Sequence, residues 1–441
     1  MTLNLSIELI TILMFGSMFF FLVLGLPIAF ALGGTAIIFG ILLWGPSSTY
    51  LISTRAIGFM RTVILIAVPL FIFMACVLER AGIAEDLYTA MRYWMGGLRG
   101  GLAAGTVLIC TLFAAMSGVS AAGTVTMGII ALPNMLKHKY DKRISIGCIM
   151  AGGALGPLIP PSVLLIIWGL FSQVSVGKLF AGGLLPGLLL STLFITYILI
   201  RSYFDPSLGP SLPPEERATW REKFVSLRAV ILPVLLVISV LGSIFLGMAT
   251  PTEAAAVGAF GALICAAIYR RLNWQMLKEA AFRTLKITAM ILWIMLAAML
   301  FVSVYQGMDA PQMIENLLTT IPVSKWAILI MMQITWLGLG CLVDSTSIIF
   351  ITGPVFIPVA VHLGFDPIWF GIVYAVNVEA GYLTPPFGTN LFYMKGIVPK
   401  GITMGDIYGS ALPFVMLQVI GLVCVILFPP LATWLPGMLF K

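Results

Sequence analysis

Apolar runs long enough to cross a bilayer recur from one end of this 441-residue chain to the other, with no polar stretch between them large enough for a soluble domain. A spanning helix takes about 20 predominantly apolar residues. Such runs lie near 5–26, 27–44, 63–79, 180–200, 229–248, 252–269, 287–306 and 407–428. A soluble core does not need 60% hydrophobic residues with 9% charged, whereas lipid does. The chain therefore reads as an all-α polytopic membrane protein with the lipid bilayer as its main partner. No Lys or Arg precedes Arg55, so the first apolar stretch is expected to stay as a membrane helix and not to leave as a signal peptide.

The same composition excludes other classes. Cys76, Cys110, Cys148, Cys265, Cys341 and Cys424 lie in or beside apolar segments without metal-ligand spacing, and read as small buried hydrophobes. His138 and His362 stand apart from each other, so no cluster for a metal or nucleophilic enzyme is expected, and no cofactor. The net charge of +7 does not point to nucleic acid, because the basic residues are scattered through short loops, where they report orientation.

Four apolar segments are interrupted. Pro pairs break 145–172 and 368–394, and small polar residues break 102–136 and 326–361. The last two are either pairs of spanning helices or re-entrant hairpins. A polar tip favours hairpins, since irregular backbone at membrane depth survives only where protein or water covers it. A shift of 225 positions then superposes the halves without a gap: Gly33 on Gly258, Gly82 on Gly307, Gly128 on Gly353, Pro133 on Pro358, and Gly156-Pro-Leu-Ile-Pro160-Pro161 on Gly381-Tyr-Leu-Thr-Pro385-Pro386. The expected organisation is a first repeat at 1–200, a cytoplasmic linker at 201–228 and a second repeat at 229–437. Five crossings and one hairpin per half make the second copy inverted, an arrangement used by secondary transporters.

Lysine and arginine place the sides. With both termini periplasmic, every Lys and Arg except Arg55, Arg61, Lys178, Lys325 and Lys441 falls on the cytoplasmic side. The first hairpin then opens to the cytoplasm and the second to the other side. Segment 271–286 is expected to lie along the cytoplasmic interface as an amphipathic arm, with its counterpart 46–62 on the outer face.

The chemistry is expected where the helices break. Proline has no amide hydrogen, so the carbonyl four residues earlier loses its partner. Pro160 and Pro161 release Gly156 and Pro157, and Pro385 and Pro386 release Gly381 and Tyr382. Such carbonyls, completed by the hydroxyls of Ser162, Thr384 and Thr389, suit a small cation; a simple kink is the other reading. The tips carry Ser117, Gly118 and Ser120 in one half and Asp344, Ser345, Thr346 and Ser347 in the other. Their hydroxyls and amides suit a carboxylate substrate and, at Ser117, Ser120, Asp344 and Ser345, an ion. Asn377 and Asn390 complete the expected substrate contacts. Small residues also pack helices closely, which accounts for Ala121, Ala122 and Gly123 but not for Asp344. An acidic group at mid-membrane costs about 2.5–3.5 kcal/mol on insertion scales, so Asp344 is expected to need a cation, a proton or a distant partner. Glu379 is open between a structural bond to a hairpin amide and a transport role, and Glu253 is expected to stabilise a helix N-terminus.

Four segments carry a resemblance: Val68-Pro-Leu-Phe-Ile-Phe73, Glu79-Arg-Ala-Gly-Ile-Ala-Glu-Asp-Leu-Tyr88, Gly247-Met-Ala-Thr-Pro-Thr-Glu-Ala-Ala-Ala256 and Leu383-Thr-Pro-Pro-Phe-Gly-Thr-Asn390. In order and over essentially the whole chain, they resemble the large permease subunit, DctM type, of tripartite ATP-independent periplasmic (TRAP) transporters. The resemblance implies an elevator, in which a core of hairpins and broken helices slides against a scaffold. It implies sodium as coupling ion and carboxylates such as dicarboxylates, sialic acids, sugar acids or keto acids as substrates. It also implies a bacterial inner-membrane location, a small four-helix membrane subunit (DctQ type), expected here as a separate chain, and a periplasmic binding protein (DctP type). Residues alone leave sodium against proton coupling open, and a stand-alone organic anion permease is the alternative.

Overall fold

The computed structural model describes residues 5–310, 312–313 and 323–440; within them the chain is helical throughout, with no strand. Among the described residues, eight helical stretches are long and apolar enough to cross a membrane. The first half runs through α1 (Ile7–Val23), α2 (Ile28–Trp44), α3 (Ser48–Met60), α4 (Ala67–Arg80), α5 (Ile83–Met95), α6 (Gly101–Ser117), α7 (Ser120–Lys137), α8 (Lys142–Ala154), α9 (Val163–Ser172) and α10 (Val176–Phe204). After the short α11 (Trp220–Ser226), the second half runs through α12 (Arg228–Phe245), α13 (Pro251–Ile268), α14 (Trp274–Gly307), α15 (Lys325–Gly340), α16 (Ser345–His362), α17 (Pro367–Leu383), α18 (Thr389–Lys395), α19 (Met404–Leu427) and α20 (Pro430–Leu439).

The register of 225 reappears in the elements: α7 begins at Ser120 and α16 at Ser345, and α8 begins at Lys142 and α17 at Pro367. Pro160–Pro161 and Pro385–Pro386, both cis, occupy equivalent places between half-helices. Local chemistry sets many of the starts. Asp141 accepts the amides of Arg143 and Ile144 at the head of α8, and Asp366 those of Ile368 and Trp369 at the head of α17. Glu253 closes a capping box with Thr250 at the head of α13, as expected from the sequence. Caps of this kind contribute about 1 kcal/mol each.

The two halves exchange helices in the outer layer. The α2 helix packs on α14 and α4 packs on α13. The equivalent glycines sit at these crossings: a Cβ on Gly33 would lie 3.4 Å from Ala297 Cβ, and one on Gly258 would lie 2.7 Å from Met74 Sδ. Small residues at such points let membrane helices approach closely. Around α8, the helices α6, α7 and α19 form a second body. Its other side is an aromatic cluster: Trp168 stacks on Tyr374 with centroids 4.8 Å apart, and Trp336 meets the same tyrosine edge-on at 4.8 Å.

Three elements differ from the sequence reading. From Trp274 onward, segment 271–286 runs without a break into the rest of α14, a continuous 34-residue helix, about 51 Å long at 1.5 Å per residue. Its counterpart α3 is cut off from α4 at residues 61–66, because Thr62 leaves the helical region there with ψ 107°. Helix α5 carries no apolar run, so no spanning segment is expected there from the sequence; its stretch in the other half, 308–320, lies largely outside the described residues. The linker is folded back onto the first half: Leu212 donates to Gly96 O at 2.8 Å, and Glu216 meets His138 at 2.8 Å and Arg92 at 3.4 Å.

Candidate functional site

Each hairpin turn rests on the helix break of its own half, because glycine removes the side chain between them. The chain between α6 and α7 turns at Gly118 with φ 61°. A Cβ there would stand 2.5 Å from the Pro161 carbonyl oxygen, and one on Gly156 would stand 2.7 Å from the Val119 carbonyl carbon. In the second half a Cβ on Gly381 would stand 2.8 Å from Gly340 Cα. Two tyrosines then hold Ser345: the Tyr374 hydroxyl donates to its carbonyl and the Tyr382 hydroxyl to its Oγ. At the turns, a hydrogen-bonded bridge joins the halves. Ser120 Oγ donates to Asn390 Oδ1 at 2.7 Å, and Asn390 Nδ2 donates to Met150 O at 3.0 Å.

These contacts enclose a cavity of about 210 Å³. The first turn lines it with Gly118, Val119, Ser120 and Ala121, and the first break with Pro157, Val163 and Leu164. The second turn contributes Asp344, Ser345 and Thr346, and the second broken helix Tyr382, Thr389 and Tyr393. One face of α14, formed by Ile287, Met290, Ile291 and Ile294, closes the opposite wall. The cavity thus has hydroxyls, backbone and one carboxylate on the core side and only apolar side chains on the α14 side.

The remaining expected residues stand behind this lining. Gly156 and Gly381 face the turns. Ser117 is buried, with its hydroxyl 3.5 Å from Val119 O. Thr384 Oγ1 donates to Ala380 O at 2.7 Å, and Asn377 Nδ2 donates to Gln333 Oε1 at 2.8 Å. Ser347 bonds Asp344. Two of the four carbonyls that proline releases are taken up again: Ser162 Oγ donates to Pro157 O, and the Thr384 amide donates to Gly381 O at 3.2 Å. The breaks are also covered unequally, Pro160 and Pro161 being buried and Pro385 and Pro386 exposed.

Asp344 has a simpler explanation than expected. It caps α16, accepting the Ser347 amide at 3.1 Å and the Ser347 hydroxyl at 2.7 Å, and its side chain is exposed. The helix N-terminus offsets part of the charge. Glu379 is fully buried and meets Gln418 Nε2 of α19 at 3.1 Å, not a hairpin amide. Gln333 and Gln418 were the overlooked polar members. Each stands in an otherwise apolar run, and that was the available signal. Tyr393 lies one turn beyond Thr389 on the same helix face. The α14 wall carried no signal, because its residues look like any other apolar stripe.

Comparison with known proteins agrees with the geometry. Residues 15–431 match the family described as "Tripartite ATP-independent periplasmic transporter, DctM component". The C4-dicarboxylate TRAP transporter large permease protein DctM of Pseudomonas aeruginosa is 34% identical over 400 residues, covering 90% of this chain and 92% of that protein. Its namesake in Vibrio cholerae is 32% identical, covering 98% of each. The fold is similar to that of the YdaH transporter of Alcanivorax borkumensis, with a TM-score of 0.64 at 16% identity, covering 93% of this chain and 97% of that one. A polytopic helical chain with internally repeated hairpins and broken helices, matched along nearly its whole length, is a transport protein of the inner membrane and belongs to the DctM family of TRAP transporter large permeases.

Proposed function

We propose that this permease imports a small organic anion of the carboxylate class on a sodium gradient. It takes the anion from a periplasmic binding protein and works with a small four-helix membrane subunit. The observation that carries this reading is the cavity in which both turns and both breaks meet. Backbone and hydroxyl oxygens around Pro157, Ser120, Ser345, Tyr382 and Thr389 offer hard ligands for a desolvated sodium ion, and the turn amides offer donors for a carboxylate. The relatives named above carry C4-dicarboxylates in their names, which favours the carboxylate class. A wall of four apolar side chains on α14 forms no hydrogen bonds that movement must break, which favours a core that slides as an elevator against the scaffold of α1–α4 and α12–α14. The distribution of Lys and Arg favours periplasmic termini.

Reconstitution with its partner subunit and binding protein tests the proposal. At fixed pH, uptake of the bound anion is expected to rise with an inward sodium gradient; indifference to sodium rejects the ion assignment. Full uptake by the chain alone rejects the dependence on a binding protein.

A further inference from the structure

A second cavity, also of about 210 Å³, lies between α8, α10 and α19, away from the transport cavity. Arg143 and Arg201 line it, and among the described residues neither guanidinium has a hydrogen-bond or ion-pair partner. Their neighbours are accounted for. Lys142 pairs with Asp406 at 2.6 Å. Asp141, which also lines the cavity, spends Oδ1 on the amides of Arg143 and Ile144 at 2.8 and 3.3 Å. Asp205, just beyond Arg201, accepts from the Ser207 amide and hydroxyl at 3.0 and 2.6 Å. Arg143 also sits in the first turn of α8, where the helix dipole disfavours a cation. Both arginines are exposed at the rim, and with Asp205 acting on Arg201 from outside the lining, two guanidiniums against one engaged carboxylate leave the lining itself net positive.

The rest of the lining says which anion. Tyr197, Pro413 and Phe414 give the cavity an aromatic and apolar side. The surfaces beside it are lipid-like in demand: Tyr203 is 70% exposed and Phe204 81% on α10, and Leu412 is 60% exposed on α19. Aromatic residues at a helix end mark the headgroup level of a bilayer, and basic pockets between membrane helices at that level receive lipid headgroups. We infer that Arg143 and Arg201 form a binding site for the phosphate of an anionic phospholipid, with an acyl chain lying along Leu412 and the exposed face of α10. The volume far exceeds the roughly 10–15 Å³ that one water needs, and guanidinium forks match phosphate oxygens two at a time.

The test uses the full chain in neutral detergent. Native mass spectrometry with phosphatidylglycerol or phosphatidylcholine is expected to show tight retention of phosphatidylglycerol only, weakened about tenfold or more in Arg143→Gln/Arg201→Gln, as loss of charge-assisted bonds implies. Arg143→Lys/Arg201→Lys, which keeps both charges, is expected to retain more lipid than the glutamine pair, so that a folding defect is distinguishable. Equal retention of phosphatidylglycerol by wild type and the glutamine pair, with both proteins folded by thermal melting, overturns the site. Stabilisation by inorganic phosphate without any by phosphatidylglycerol overturns the lipid as its source.

Discussion

Asn390 touches Ser120 across 270 positions of sequence and ties one repeat to the other. Its amide is fully buried, so replacing it with Leu strands the Ser120 hydroxyl and the Met150 carbonyl, at about 1–3 kcal/mol for each polar group left unpaired. Asn390→Leu is expected to lower the melting temperature in detergent and to reduce uptake more than tenfold, because the first turn loses its anchor beside the cavity. Unchanged melting and uptake would show that the bridge positions nothing. Glu379 separates shape from charge. Glu379→Gln keeps a partner for the Gln418 amide and is expected to melt within a few degrees of wild type, whereas Glu379→Ala leaves that amide unpaired in the protein interior and costs about 1–3 kcal/mol. Equal melting of the two variants would remove Glu379 from the list of structural anchors. Sequence reading picked out both residues as polar groups in apolar runs. It could not say whom they touch, since a side chain's partner depends on which distant helix lies opposite.

At the scale of elements, the close seating of turn on break rests on absent side chains. Gly156→Ala and Gly381→Ala each push a methyl group into backbone at under 3 Å, and overpacking of this kind costs about 1–3 kcal/mol. Both are expected to fold with lowered melting and to lose uptake; full uptake by either would mean that the turn need not rest on the break. The linker supplies a pH-dependent contact outside the membrane. The His138 hydrogen bond is the main reason that the Glu216 carboxyl lies below its ordinary 4.5. A carboxyl lowered on docking stabilises the docked linker above that ordinary value, and the contribution is lost as pH falls through the docked one. Protection from hydrogen exchange in residues 205–228, taken relative to the intrinsic rate at each pH, is therefore expected to be high at pH 7 and to fall below about pH 4, at the ordinary carboxylate range. In Glu216→Gln protection is expected to be lower at pH 7 and less pH-dependent; an unchanged profile would place the docking elsewhere. Helix breaks were legible here, because Pro pairs act locally. The continuity of α14 was not: charged residues at 271–286 look interfacial, and it is only in the fold that Arg283 and Arg80 find Glu79 and Glu279 across the two halves, tying the start of α14 to the end of α4.

For the whole molecule, the question is whether the core moves past α14. Single cysteines at Ile294 and Thr346, both lining the cavity from opposite sides, can be placed in a chain without its six native cysteines. Bridging them with a short bifunctional reagent is expected to abolish uptake, while each single-cysteine chain treated alike keeps part of it. Transport with the bridge in place would reject sliding. The membrane class, the number of broken helices and the repeat of 225 were determined by the sequence itself, because they depend on apolar runs, on proline's missing amide and on residues that recur at a fixed interval. Which helix of one half lies against which helix of the other was decided only in the folded chain. So were the bridge from Ser120 to Asn390, the apolar α14 wall of the cavity and the unequal cover of the two breaks. The physical reason is that periodicity and local backbone chemistry act within a few residues, whereas these contacts arise from the packing of surfaces far apart along the chain, which no short stretch of sequence encodes.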